Sequence, residues 1–178
     1  IARQHSERLG YEFVYSGLYD ASRSAAEHLD NGLRLAGPIA LSSFDYNGSD
    51  DMTVSYDTTF HSYESSFIVT PDLGIGSFLI GSRFIYWKER FDLRSSDSDQ
   101  FTSDYVVNAM NRMYGAQIGW NGAVTTALGD TLLKLRGGVF GTHASQGQSL
   151  YDLDNTFDLR PATGGFDNRT SYLGECSV

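Results

Sequence analysis

Cysteine is all but missing. Cys176 stands alone, so no internal disulfide can form, and no Cys/His spacing suggests zinc. Its expected role is that of a small structural residue. Basic residues are also scarce: 13 Lys and Arg stand against 22 Asp and Glu, for a net charge of −9. They form no cluster, which argues against nucleic acid as a partner. Proline occurs only 3 times. No apolar run approaches the roughly 20 residues of a transmembrane helix, and no signal peptide opens the chain. Neither absence excludes a membrane. A spanning strand needs only about 9–11 residues with apolar side chains at alternate positions, and a mature chain has lost its signal.

Reaction motifs are lacking too. No Gly-x-Ser-x-Gly elbow is present. His143 near Ser145 is the nearest approach to a base beside a nucleophile, at a spacing that chance supplies. Asp152, Asp154, Asn155 and Asp158 make an oxygen-rich segment without the glycine and terminal Glu of a calcium loop. It reads as a solvated acidic loop. Asn47-Gly48-Ser49 and Asn168-Arg169-Thr170 match the glycosylation acceptor pattern, which is short enough to arise by chance. No catalytic residue, metal ligand or cofactor is expected, and the chain is expected not to be an enzyme.

What the chain has is aromatic residues and glycine: 11 Tyr, 11 Phe and 19 Gly. Tyr and Phe favour pleated, half-buried surfaces. Six segments read as strands. In Glu7–Tyr19, Leu9, Tyr11, Phe13 and Tyr15 alternate with Arg8, Gly10, Glu12 and Ser16, which is period two. In Met52–Val69, Val54, Tyr56, Thr58 and Phe60 share a face, and then Glu64 falls on the apolar side. A bulge near Ser65-Ser66 would return Phe67 to the apolar face. In Ser77–Leu93, Phe78, Ile80, Phe84 and Tyr86 oppose Gly81, Arg83, Trp87 and Glu89. In Ser103–Val124, Val106, Met110, Tyr114, Ala116, Ile118 and Trp120 oppose Asn111, Gln117 and Asn121, and Arg112 breaks the apolar row. In Thr131–Ala144, Leu133, Leu135 and Val139 oppose Lys134, Arg136, Gly138 and Thr142. A last strand runs from about Phe166 to the end.

The connections alternate in length. Asp20–Asp51, Arg94–Thr102 and Ser145–Gly165 are long and polar, while Pro71–Gly74 and Ala127–Asp130 are short. In an up-and-down sheet, alternate connections share an end. The long ones therefore gather at one rim and the short ones at the other, as in outer-membrane barrels. Ala25, Ala26, Leu29 and Leu33 permit a short helix within the first long connection, which is otherwise irregular. Tyr15, Tyr56 and Tyr86 are expected near the outer rim, and Phe67, Phe78 and Trp120 near the inner one, as interfacial aromatic girdles.

Asn111-Arg112-Met113-Tyr114-Gly115-Ala116-Gln117-Ile118-Gly119 resembles a signature of the outer-membrane β-barrel porins typical of planctomycetes. Gly81-Ser82-Arg83-Phe84 before it, and Leu135–Gly141 and Gly174-Glu175 after it, match further pieces of that family in order. The resemblance covers about residues 54–178. It implies an outer-membrane barrel and no established substrate. Family members continue past the Gly-Glu strand with further strands.

Together these readings predict an all-β protein. The expected fold is an antiparallel up-and-down transmembrane barrel over residues 1–178, with about six strands and incomplete by itself. Leu9, Tyr11, Phe13, Phe84, Tyr114, Ile118, Leu133 and Leu135 are expected to face lipid. Glu12, Arg83, Glu89, Asn111, Gln117, Asn121, Lys134 and Arg136 are expected to line the lumen. The expected function is structural or porin-like in a bacterial outer membrane, with passive passage of small polar solutes if the lumen is open. Its expected partners are membrane lipid and other copies or envelope proteins. The alternative is a soluble surface β-domain that binds a partner through its acidic loops.

Overall fold

The computed structural model describes residues 2–4, 8–34, 46–72, 74, 76–97, 102–126, 129–152 and 157–177. These form seven strands: β1 (Ala2–Gln4), β2 (Leu9–Arg34), β3 (Asn47–Val69), β4 (Ser77–Ser96), β5 (Thr102–Thr126), β6 (Gly129–Asp152) and β7 (Phe157–Ser177). They build one sheet in the order of the chain, and every neighbouring pair is antiparallel. β1 and β7 are its two edges among the described residues. The connections after β2, β4 and β6 leave one end, here the upper one. Those after β1, β3 and β5 leave the lower end. There Gly74 (φ 67°) and Gly76 (φ 96°) take the left-handed backbone of the β3–β4 turn.

The strands are longer than the periodicity predicts, and this corrects several expectations. The sequence reading missed β1 and ended the second strand of the sheet at Tyr19. β2 in fact continues to Arg34, so Ala25, Ala26 and Leu29 lie in a strand and not in a loop helix. The 20–51 connection shrinks to 35–46, the 94–102 connection shortens to 97–101, and most of 145–165 is strand. The acidic side chains at 152–158 lie outside the described side chains.

The expected bulge at Ser65-Ser66 is absent: β3 pairs with β2 and β4 without interruption there. The irregularity sits instead on β2, between Leu18 and Ala21, where Asp20 has a φ of 42°. β3 therefore keeps one phase throughout. Glu64 shares a face with Val54, Tyr56 and Phe60, and Tyr63 and Phe67 occupy the other.

That continuity exposes an exchange of polarity between the two faces. In the lower half, one face carries Leu9, Tyr11, Phe67, Ile80, Tyr114 and Ile118, all exposed, Ile118 by 66%. The opposite face carries Glu12, Glu64, Arg83, Gln117 and Arg136. In the upper half the assignment reverses. The exposed face now bears Asp57, Lys88, Arg90 and Arg94, and the opposite face bears Val54, Phe91, Leu93, Tyr105 and Leu150. Leu93 and Leu150, 1% and 3% exposed, form an apolar cluster with Tyr46, whose hydroxyl donates to the Leu93 carbonyl at 3.5 Å. Val106 is an exception, a buried apolar residue on the upper polar face. It lies opposite Asp92 and Ser149.

Ion pairs run along the upper polar face. Arg90 meets Asp92 at 2.8 Å and Arg94 meets Asp104 at 3.6 Å. Burial and a hydrogen bond with Asp92 hold the Asp104 carboxyl above its usual value. Burial also pushes Asp92 up, but hydrogen bonds from Asp104 and Arg90 outweigh it and leave Asp92 low. Higher still, His28 Nδ1 lies 2.8 Å from Asp51. That hydrogen bond and charge raise the imidazole above its ordinary value. A raised histidine stabilises the fold fully below its unfolded value of about 6.5, and this contribution is lost as pH rises through the folded value. In an NMR titration His28 should keep its proton above pH 6.5, and Asp51→Asn should move its midpoint down. An unmoved midpoint would exclude the pair.

Candidate functional site

The lower half of the β4–β5–β6 wall sets long charged side chains over a floor of glycines. Gly81, Gln117 and Gly138 are direct neighbours across β4, β5 and β6, as are Arg83, Gly115 and Phe140. A Cβ on Gly115 would stand 2.4 Å from the Phe140 ring, so glycine is what lets this ring, 1% exposed, lie flat against β5.

Above that floor, Arg83 Nε donates to Ser62 Oγ at 2.8 Å and lies 3.4 Å from Glu64. Its Nη1 meets Glu175 at 2.5 Å. Arg136 reaches Glu64 at 2.5 Å and Glu12 at 3.4 Å. The Gln117 amide donates to Glu64 Oε2 at 3.0 Å. Glu64 thus joins both arginines, and the Arg83 and Glu64 side chains are each only 7% exposed. Charges taken this far from water persist only when paired and hydrogen-bonded.

The pairing also measures curvature. Glu12 is on β2 and Arg136 on β6, four strands away. On a flat sheet they would be roughly 19 Å apart, beyond the about 15 Å that extended Arg and Glu side chains bridge. The sheet is therefore curled, with the charged face concave and the lower apolar face convex.

Of the residues expected inside, Glu12, Arg83, Gln117 and Arg136 come together. Asn111 lies on the same face but higher. Asn121 and the exposed Lys134 are paired neighbours at its lower end. Glu89 lies above the network, where it accepts a hydrogen bond from Tyr56 and, among the described residues, from no basic one. That bond also places Tyr56 on the concave face, against its expected place in an outward girdle. Two members, Glu64 and Glu175, were not assigned here by sequence. Glu64 looked misphased, and Glu175 was noted only within a Gly-Glu pair. All four pieces of the family-like pattern border this cluster: Arg83, Gln117, Arg136 and Glu175 each belong to one.

On the convex face, Leu9, Tyr11, Phe13, Tyr114, Ile118 and Leu135 are exposed, and Phe84 and Leu133 are half-buried on the same rows. Tyr15, Tyr63, Phe84 and Tyr114 stand in direct register across β2–β5, with successive ring centroids 4.9, 6.1 and 4.8 Å apart. This aromatic row marks the level at which the faces exchange polarity. Just above it, the His143 ring nitrogen lies 2.8 Å from the Asn168 side chain. No cluster of His, Cys, Asp or Glu among the described residues has the makings of a metal site. Compared with known protein families, curated proteins and solved structures, the chain finds no match in any of the three.

Proposed function

We propose that this chain forms the wall of an outer-membrane β-barrel whose interior is closed by paired charges, so that its role is structural and not conducting. The observation that carries the reading is the exchange of polarity at the aromatic row. Below it, apolar side chains point away from the sheet and charges point inward. Only a surrounding apolar medium makes that arrangement favourable. The convex rows from Phe78 to Phe84 on β4 cover about 20 Å of strand, or roughly 16 Å of height at a tilt near 40°, the larger part of the apolar band of such barrels. A soluble surface domain suits the upper half but would leave the lower convex rows in water.

Filling of the interior by side chains is the property of barrels of about eight strands. β1 and β7 run in the same direction, so one strand antiparallel to both would close an even-numbered wall. Hydrocarbon requires such closure, because edge N–H and C=O groups find no partner there.

In planar bilayers the wild-type protein should show no steady conductance. Arg83→Ser with Arg136→Ser should open a cation-selective path, because Glu12, Glu64 and Glu175 remain. Steady wild-type conductance would reject the closed interior and favour passage of small polar solutes. Recovery without detergent in the soluble fraction would reject the membrane reading altogether.

A further inference from the structure

Arg112 interrupts an apolar row of β5, between Met110 and Tyr114, and the closed interior gives it no task. It points to the convex side and is exposed, directly opposite Tyr86 and one step above the aromatic row. Lys88, also exposed and convex, pairs in register with Met110, which makes it the diagonal neighbour of Arg112. Diagonal neighbours on a sheet face are about 7–8 Å apart, so both long side chains can reach one anion between them. Neither has an ion-pair partner among the described residues, whereas Arg90 and Arg94 further up are matched to Asp92 and Asp104. Two acids lie nearby. Asp57 stands opposite Arg90, and Asp20 accepts the Thr59 hydroxyl at 2.9 Å. Both sit at or above the level of Lys88, on the side away from the apolar band.

We propose that Lys88 and Arg112 bind the phosphate of an anionic membrane lipid, whose acyl chains lie against the convex rows below. The proposal rests on the membrane reading above. On a chain of net charge −9, two unmatched cations occupy the first polar steps above an aromatic row. Phosphate stands at that height when acyl chains cover the apolar band beneath. Arginine offers a planar set of donors to phosphate oxygens, and lysine adds a point charge.

The test is native mass spectrometry of the folded protein released from detergent with phosphatidylglycerol, phosphatidylcholine or inorganic phosphate added. Wild type should retain phosphatidylglycerol over phosphatidylcholine by roughly 30-fold, taking each cation's attraction near a surface at its usual size. Inorganic phosphate should not be retained, since it lacks the chains. Lys88→Gln with Arg112→Gln should abolish the preference, and Arg112→Gln alone should cut it about fivefold. Equal retention of the two lipids by wild type, or an unchanged preference in the double variant, would overturn the site. Retention of inorganic phosphate as strongly as of the lipid would reduce it to an anion site and overturn the lipid assignment. Reconstitution into vesicles separates the two failures. A protein that inserts but shows no preference loses only this site, while one that fails to insert loses the barrel reading and the site with it.

Discussion

Ile118→Arg is expected to lower stability by about 2–4 kcal/mol in lipid vesicles, while Asn108→Arg, on the same face of the same strand, should change it by less than about 0.5 kcal/mol. Both side chains point to the convex side and both are exposed. They differ in level. Ile118 pairs with Ile80 within the apolar band. Asn108 pairs with Arg90 above the aromatic row, where a charge meets water. Urea titration in vesicles, with linear extrapolation to zero denaturant, reads both values. Equal effects at the two positions would mean that the aromatic row is not a boundary between solvents, and the membrane reading would fall with it.

Glu64→Gln should be costlier, by about 3–5 kcal/mol, because it removes the buried carboxylate shared by two arginines and leaves them only the more exposed Glu175 and Glu12. Two guanidinium groups lean on this carboxylate. The substitution keeps the shape and removes only the charge, so cavity formation does not confuse the result. Glu175→Gln removes the other carboxylate beside Arg83 but should cost no more than about 1 kcal/mol, as Glu175 is 42% exposed and water screens what is lost. If Glu64→Gln came within about 1 kcal/mol of wild type, the arginines would have to be hydrated, and the interior would be an aqueous path. The same measurement therefore bears on stability and on the conductance expected of the wild type.

Period two was legible wherever a face of a strand keeps one polarity. Leu9 to Tyr15, Phe78 to Tyr86 and Tyr114 to Trp120 were assigned to one face of the sheet on alternation alone. β3 defeated the same rule. Val54, Tyr56 and Phe60 are apolar on the side that lower down carries Glu64, so a single apolar face had to be rescued by a bulge. The strand did not change phase; its two faces exchanged polarity. β2 beyond Asp20 was illegible for another reason. Ala25 and Ala26 occupy both faces without marking either, and Leu29 and Leu33 happen to fit helical spacing as well. β1, with three residues, offers too short a pattern to register. Of the charge cluster, Arg83 and Arg136 could be placed from their own strands. Their pairing with Glu175 and Glu64 could not, because each pair spans three strands of a curled sheet and leaves no local trace.

The length of the strands above the aromatic row has a consequence for anything that approaches from outside. β3 runs from Thr59 up to Asn47 and β4 from Lys88 to Ser96, which lifts the strand tips roughly 20–30 Å above the level of Lys88 at ordinary rise and tilt. On the membrane reading, such a turret, stiffened by its own apolar filling around Tyr46 and Leu93, would stand nearly as tall as the hydrocarbon layer beneath it is thick. Visitors arriving from the medium would meet the parapet, while neighbours sharing the bilayer would meet only the foundations.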